Sequence, residues 1–305
     1  MSFKRIDCQF ESHKDKCSAW LYLPNNITKP PLIIMAHGLA GMKNCGLEPF
    51  AEFFASNGLA VLSFDYRGFA DSEGTPRQLI SPKRHVEDYL AAINWARTRE
   101  DINTDKIALW GSSFSGGHVI KAAARDPKIA AISAQVPFVS GRASSTPIVI
   151  KNGPKYLLKA IVSCFRDIFR AATGSKPYTV PVYGYPNEFA ILNTPDSRPG
   201  YESLIPEGME VVNAAPARIF LTMILYHPTN VSHKINCPAL VIAGENDSLI
   251  PIKSVKKAVS KMKDAKLVSL PIGHFDPYFG ENFEIASKQQ LNFINSLAIK
   301  EKLPL

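Results

Sequence analysis

Short apolar runs alternate with amphipathic stretches through most of this chain. Strand-like runs occupy residues 32–36, 59–64, 107–110 and 130–136, with helical spacing at 48–57, 82–98 and 114–125. The pattern resumes near the end, with strands at 239–243 and 267–270 and helices at 252–263 and 281–298. Such alternation is typical of a mostly parallel sheet covered by helices on both faces. We therefore predict an α/β protein, with an opening hairpin over residues 5–23.

The alternation is interrupted between residues 138 and 232. This segment contains proline-rich and tyrosine-rich loops and two predicted helices, 155–172 and 214–226. Because the sheet pattern continues afterwards, an insertion into one domain is simpler than a separate second domain. We expect a core made of residues 1–137 and 233–305, with residues 138–232 inserted as a cap.

Composition argues against several other classes of protein. The net charge is +8, but Lys and Arg are scattered, so no nucleic-acid partner is expected. The first residues lack the apolar run of a signal peptide, and no stretch approaches the ~18 apolar residues of a membrane span. Widely spaced cysteines, odd in number, predict neither a disulfide framework nor a metal site and indicate a reducing, cytoplasmic compartment. They are Cys8, Cys17, Cys45, Cys164 and Cys237.

The stretch WGSSFSGG, which continues the strand at 107–110, puts small residues between a strand and a helix. A sharp turn needs small residues around its apex because the backbone is strained and the helix packs closely. Gly111 and Ser115 flank Ser113, which nearly reproduces the G-x-S-x-G nucleophile elbow. Ser115 lies too far past the strand, and Ser112 has a large residue two positions before it. Ser113 is therefore the predicted apex, although this stretch alone also allows a structural turn without chemistry.

A serine hydroxyl is a poor nucleophile unless a base accepts its proton and an acid orients that base. His274 and Asp247 each follow one of the last two predicted strands. Because the carboxyl ends of parallel strands lie at one edge of a sheet, both side chains should meet Ser113 there. Two other carboxylates were weighed as the acid. Glu245 should point elsewhere, and Asp276 follows the histidine too closely to reach its far ring nitrogen.

Taken together, these motifs resemble the alpha/beta-hydrolase superfamily. The resemblance covers residues 31–137 and 238–298 and is closest to the dienelactone-hydrolase and Xaa-Pro-peptidase-like branch, which includes esterases and polyketide-processing thiohydrolases. Ser115 replaces a glycine of the family pattern, and Ala70 stands where relatives often carry glycine. The motifs that carry the resemblance are His37-Gly38, Asp65-Tyr66-Arg67-Gly68, the elbow at Ser113, the acid loop from Gly244 through Asp247 to Pro251, and Gly273-His274.

The resemblance implies a complete set of catalytic roles. Ser113 would attack an acyl carbonyl, His274 would act as general base and then acid, and Asp247 would orient the imidazole. The backbone N–H of Phe114 would stabilise the oxyanion, and the resemblance adds the N–H of Leu39 as second donor. This chemistry requires neither a metal nor an organic cofactor.

Four further polar residues near the motifs are expected to be structural. His37 should brace the loop that follows the first parallel strand, and His118 should fill a polar position on the helix after the elbow. Asp65 and Arg67 should tie the neighbouring loop by hydrogen bonds.

The two predicted cap helices are strongly apolar, and this composition allows three interpretations. Packing on the core and on each other is favoured. A lid that lines an acyl or aromatic pocket is the functional interpretation. A less favoured one is docking on a membrane surface through Phe165 and Phe169, which have basic neighbours. The apolar composition favours a hydrophobic acyl group as the substrate.

We predict a serine hydrolase that cleaves a small-molecule carboxylic ester or thioester through an acyl-serine intermediate. One alternative is an acyltransferase or thiohydrolase acting on a polyketide or other acyl thioester. A second is a peptidase, although no acidic cluster in the cap suggests capture of a peptide amine. A third is a catalytically silent ligand-binding protein, but the presence of all three triad residues disfavours it. The oligomeric state is left open.

Overall fold

An eight-stranded sheet is the central feature of the computed structural model, which describes residues 1–300 and the side chains of residues 1–296. In chain order the strands are β1 (Phe3–Ser12), β2 (Asp15–Pro24), β3 (Pro31–Ala36), β4 (Ala60–Phe64), β5 (Asn103–Ser112), β6 (Ala131–Gln135), β7 (Thr179–Val180), β8 (Ala215–Pro216), β9 (Ala239–Gly244) and β10 (Ala265–Leu270). The sheet has the order β1-β2-β4-β3-β5-β6-β9-β10, and β7 pairs with β8 separately. The hairpin β1–β2 is antiparallel, and the strands from β4 to β10 in that order run parallel. The predicted α/β fold class is confirmed.

Helices cover both faces of the sheet. They are α1 (Glu48–Ser56), α2 (Pro82–Arg97), α3 (Phe114–Ala123), α4 (Gly141–Ala172), α5 (Ser197–Glu202), α6 (Ile219–Ile224), α7 (Ile252–Val259) and α8 (Gly280–Lys300). Successive side chains of a strand point to opposite faces, so a strand covered on both sides is apolar throughout. In β3, Leu32 and Ile34 pack in the cluster that includes α2, α3 and α7. Ile33 and Met35 pack in the cluster that includes α1 and α8.

The predicted helix at 214–226 is wrong over most of its length. Strand β8 occupies its beginning, and α6 covers six residues. Pro216 in this segment has no N–H to donate within a helix, which favours the extended conformation there. The preceding Ala215 pairs with Val180 of β7, so a two-stranded ribbon replaces the first turns of the predicted helix.

Helix α4 is longer than the predicted helix at 155–172, because it begins at Gly141. The Ser140 side chain caps this earlier start by accepting from the N–H of Ala143. Gly153 has φ 75° and breaks the helical backbone, so α4 is two helices joined at a kink. We call residues 154–172, which follow the kink, the distal half of α4.

Residues 138–232, here called the cap segment, connect β6 to β9 without adding a strand to the eight-stranded sheet. The segment contains α4, α5, α6 and the small ribbon. A Cβ atom at Gly141 would lie 1.9 Å from the carbonyl oxygen of Met223, so only glycine permits this approach of α4 to α6. The core range expected to follow the cap, 233–305, ends with residues 301–305, which lie outside the described part of the chain.

A buried ion pair holds the cap segment together. The side chain of Asp167 is fully buried, and its Oδ2 accepts from the Nε of Arg218 at 2.6 Å. Its two carboxylate oxygens also accept from the backbone N–H groups of Tyr178 and Arg218 and from Nη2 of Arg218. The carboxylate therefore joins α4, the ribbon and α6, and these hydrogen bonds offset the cost of its burial.

The expected burial of the apolar cap helices is wrong for one side of α4. Phe165 is 67% exposed and Phe169 is 70% exposed, whereas other apolar residues of the helix contact the protein. An apolar helical run predicts burial, but α4 has a neighbour on one side only. Among the described residues, no helix is both long enough and apolar enough to cross a bilayer.

Replacing Asp167 with Ala should destabilise the protein by about 3–5 kcal/mol, because it leaves the Arg218 guanidinium without its buried partner. Urea denaturation measures this loss. The exposed i,i+4 pair of Arg198 and Glu202 supplies the control, since Glu202→Ala should cost less than about 1 kcal/mol. Equal losses in the two variants would contradict the structural role of Asp167.

Candidate active site

The turn between β5 and α3 has the strained backbone expected of a nucleophile elbow. Ser113 has φ 56° and ψ −120°, which side-chain-bearing residues rarely adopt. Its N–H donates to the carbonyl oxygen of Gln135 at 2.9 Å, and its own carbonyl accepts from the N–H of Phe138 at 2.8 Å. A Cβ at Gly111 would lie 2.5 Å from the carbonyl oxygen of Ser115, which explains the small residue there. The apex predicted from the sequence is the strained residue.

The structure brings the three predicted triad residues into one hydrogen-bonded chain. Nε2 of His274 lies 2.9 Å from Oγ of Ser113, and Nδ1 lies 2.7 Å from Oδ2 of Asp247. The other carboxylate oxygen accepts from the N–H groups of Leu249 and Ile250 at 2.9 and 2.8 Å. With its proton on Nδ1, facing the carboxylate, the imidazole leaves Nε2 free to accept from the serine hydroxyl.

The two predicted oxyanion donors lie beside the elbow. Leu39, Ser113 and Phe114 line the same cleft. A Cβ at Gly38 would lie 3.2 Å from the Cβ of Ser113, which shows how closely the loop after β3 approaches the nucleophile. Among the described residues, neither the Leu39 N–H nor the Phe114 N–H donates to a protein acceptor. Both N–H groups remain predicted oxyanion donors.

A tyrosine of the cap segment fixes the loop that carries Leu39, and sequence reasoning missed it. The hydroxyl of Tyr201 donates to the carbonyl oxygen of Leu39 at 2.8 Å across 162 residues of sequence. Tyr201 also stacks on Tyr183, with the ring centroids 4.3 Å apart. No motif or spacing in the sequence signals this contact.

Three of the four rival residues considered for the triad have other hydrogen-bond partners, and the fourth, Glu245, is exposed. Asp276 accepts from the N–H of Gly273 at 2.7 Å, and Glu245 is exposed. Ser112 accepts from the hydroxyl of Tyr278 at 2.6 Å. Ser115, which replaces the family glycine, is buried and hydrogen-bonded to the hydroxyls of two tyrosines, Tyr66 and Tyr89.

Three buried histidines lie around the elbow and do not join the triad. Nδ1 of His37 lies 2.9 Å from the carbonyl oxygen of Gly38, and burial lowers the pKa of His37 to about 4. His118 lies 2.7 Å from the hydroxyl of Tyr226 and 3.3 Å from His85. Burial lowers the pKa of His118 to about 3 and that of His85 well below its usual value. All three rings are neutral near pH 7, which agrees with structural roles for His37 and His118.

Ion pairs fix the loops on either side of the site, as expected for Asp65 and Arg67. Arg67 pairs with the buried Asp88 of α2. Asp65 accepts from both the backbone N–H and the ammonium group of Lys43, at 2.6 and 2.7 Å. Sequence reasoning missed Lys43, a buried lysine in the loop that also carries Leu39.

Two clefts meet at Ser113. The first is lined by the elbow, α4 and α6, and it shares Ser145, Ile148 and Met223 with an adjoining apolar cavity of about 290 Å³ inside the cap segment. The second is lined by the loop after β3, the His274 loop and Tyr201. Among the described residues, no carboxylate lines either cleft or the cavity.

No group of three or more metal-ligating side chains occurs within the described part of the chain.

Comparison with known proteins agrees with this geometry. The profile of the X-Pro dipeptidyl-peptidase (S15) family matches residues 11–153. The quorum-quenching protein AidA of Acinetobacter baumannii is 38% identical over 292 residues, covering 96% of this chain and 95% of that protein. A thiohydrolase of Eupenicillium brefeldianum is 24% identical over 302 residues, covering 93% and 92%. The crystal structure of the alpha/beta hydrolase GrgF from Penicillium sp. sh18 shares the fold, with a TM-score of 0.79 at 23% identity over 96% of this chain and 98% of that one.

The chain belongs to the alpha/beta-hydrolase superfamily, which confirms the resemblance seen in its motifs. Within that superfamily it is a serine hydrolase of the esterase and thioesterase type.

The buried His118 should make the protein sensitive to acid. Its folded-state pKa of about 3 lies below the value near 6.5 of an unfolded histidine, so the unfolded state binds the extra proton first. The stability gained from the neutral ring is present above about pH 6.5 and is lost as the pH falls toward 3. His118→Gln should therefore reduce the fall in unfolding free energy by about 1.4 kcal/mol per pH unit over this range, as measured by urea denaturation. The exposed His13 is the matched control, and an equal change of slope in His13→Gln would contradict the assignment.

Proposed function

We propose that Ser113, His274 and Asp247 form the catalytic triad of an enzyme that hydrolyses a small-molecule ester or thioester with an apolar acyl group. The continuous hydrogen-bonded chain from the strained serine to the buried carboxylate carries this proposal. The serine, the base and the acid each lie at the carboxyl end of a different parallel strand, where ligands of such sheets bind.

The reaction begins when Oγ of Ser113 attacks the carbonyl carbon and its proton passes to Nε2 of His274. The negative oxygen of the tetrahedral intermediate accepts from the N–H groups of Leu39 and Phe114, and such a donor contributes about 2.7–4 kcal/mol. Asp247 holds the proton-bearing Nδ1 and stabilises the imidazolium. Collapse breaks the bond to the alcohol or thiol, which leaves with the proton from Nε2. Water then attacks the acyl-serine and gives its proton to His274. The second tetrahedral intermediate collapses as the proton passes from Nε2 to Oγ of Ser113, which releases the carboxylic acid and restores the free serine.

The apolar cavity in the cap segment supports an apolar acyl chain. The cavity adjoins the cleft at Ser113 and is lined mainly by aliphatic and aromatic side chains of α4 and α6. Each buried methylene group contributes about 0.8 kcal/mol, so a chain that extends into the cavity gains binding energy with length. The second cleft, which Tyr201 and Phe275 help to line, would hold the alcohol or thiol.

Transfer of the acyl group to an acceptor other than water would use the same triad, and only the occupant of the second cleft would differ. Peptidase activity has less support, because the described residues lining the clefts include no carboxylate that would bind a peptide amine. A catalytically silent binding role is disfavoured by the assembled triad.

The cysteines support the proposal that the enzyme acts in the cytoplasm. All five are free. Burial raises the pKa of Cys8, Cys45 and Cys237 to about 11, so these thiols remain protonated and unreactive near pH 7.

A fluorophosphonate probe tests the nucleophile directly. Wild-type protein should gain the mass of one adduct, and Ser113→Ala should gain none, because the probe reacts with an activated serine. Intact-protein mass spectrometry measures both. Ser115→Ala is the control for the rival serine and should still be labelled. Labelling of Ser113→Ala, or an unlabelled wild-type protein that cleaves no ester, would contradict the triad assignment.

A chain-length series tests the acyl cavity. In p-nitrophenyl esters, kcat/KM should rise by up to about fourfold per added methylene until the cavity is filled. Ala160 is buried and lines the cavity, so Ala160→Phe should lower kcat/KM for long acyl chains far more than for the acetyl ester. Ala171→Phe places the same ring at an exposed position of the same helix and should leave the series unchanged. Equal losses at every chain length would contradict an acyl role for this cavity.

A further inference from the structure

The distal half of α4 divides into three sectors around its axis. An α-helix turns about 100° per residue, so residues three or four apart share a side. One sector packs on the protein and is buried. A second, which is apolar and faces solvent, comprises Leu157, Leu158, Ile161, Val162, Phe165 and Phe169, between 42% and 70% exposed. A third sector, directly beside the apolar one, comprises Lys155, Lys159, Arg166 and Arg170. We call the second sector the apolar face.

The charge on α4 is one-sided. The helix contains six basic residues and a single acidic one, Asp167, which is buried in its pair with Arg218. Among the described residues, no carboxylate lies within 4 Å of the ammonium group of Lys155 or Lys159. The amine of Lys159 instead lies 4.4 Å from the ring centre of Phe189. Within the described part of the chain, the two lysines beside the apolar face therefore have no ion-pair partner.

The apolar face also borders the cavity of the proposed active site. Leu157, Ile161 and Phe165 line the 290 Å³ cavity and are exposed on the outer surface as well. Leu221 and Ile224 of α6 do the same and extend the apolar surface beyond α4. An apolar molecule leaving a lipid phase at this face would therefore contact apolar side chains from the surface to the cavity.

We propose that the apolar face docks on an anionic lipid surface. A helix that lies in a membrane interface combines a solvent-facing apolar side with flanking Lys and Arg, which place their charges among anionic headgroups. The face has both properties. A second copy of this chain would cover the apolar residues but would bring the two unneutralised basic sectors together. Delivery of a membrane-dissolved ester to Ser113 rests additionally on the proposed function, whereas docking itself does not.

Vesicle flotation with the full chain tests docking. The protein should float with phosphatidylcholine vesicles that contain phosphatidylglycerol, and much less with phosphatidylcholine alone. High salt should release it, because salt screens exposed charges. Lys155→Gln should weaken binding about fivefold, the effect of about 1 kcal/mol per cation near an anionic surface. The exposed Lys14 provides the control, and Lys14→Gln should bind as wild type does. Failure to float with anionic vesicles at low salt would overturn the proposal.

Three residues of the apolar face lie outside the cavity lining, namely Leu158, Val162 and Phe169. The combined variant Leu158→Ser, Val162→Ser and Phe169→Ser should lose at least about tenfold in vesicle binding, since it removes apolar area that would enter the lipid. It should retain wild-type hydrolysis of a soluble short-chain ester, which also shows that it is folded. Phe279→Ser, at an exposed phenylalanine elsewhere, is the matched control and should bind normally.

Two further measurements separate this inference from its alternatives. Ser113→Ala should still bind vesicles, so failure of the proposed chemistry would leave docking intact. Sedimentation velocity tests the second-copy alternative. A wild-type dimer that the triple variant dissociates, without vesicle binding, would assign the face to a protein interface and overturn the proposal. Unchanged vesicle binding by the triple variant would also overturn it.

Discussion

The strained backbone at Ser113 is the constraint on which the active site depends. A residue with a side chain at such a positive φ costs about 1–3 kcal/mol, so the surrounding structure must hold it in place. Two hydrogen bonds from β6 and the residues after it do so, one to the N–H and one to the carbonyl of the serine. Small residues such as Gly111 let α3 begin directly behind the turn. The result is a hydroxyl held at the edge of the sheet, where the loops after β9 and β10 reach it.

Buried polar groups around the elbow are accommodated in two different ways. The loops that carry Leu39 and Arg67 are each held by an ion pair between a buried carboxylate and a basic side chain. The histidines nearest the elbow are instead kept neutral by burial. Neutral rings add hydrogen-bonding groups without adding charge close to the reacting serine. In the proposed mechanism, the imidazolium formed at His274 is therefore stabilised chiefly by Asp247, the carboxylate in contact with it.

The sequence was informative wherever function and fold depend on local order along the chain. Strand ends, the elbow and the triad could be predicted because a parallel sheet brings residues after successive strands to one edge. Contacts that depend on distant partners could not be predicted in this way. Lys43 reaches Asp65 across 22 residues, and Tyr201 reaches Leu39 across 162, with no periodic pattern in either case. The exposed face of α4 was only a less favoured interpretation of the sequence, because apolar residues at helical spacing predict burial, and nothing in the spacing reveals that a neighbouring element is absent.

The hydrogen bond from Tyr201 to the carbonyl of Leu39 has a consequence for how this enzyme can diversify. The cap segment therefore helps to fix the loop that carries Leu39, whose N–H is a proposed oxyanion donor. In the proposed mechanism, selection of the substrate by the cap segment and polarisation of the substrate carbonyl are therefore coupled. An exchange of cap segments between related enzymes would transfer specificity together with activity only if the new segment supplied a donor at the same place. Recombination that ignored this single contact would yield folded proteins with displaced oxyanion loops.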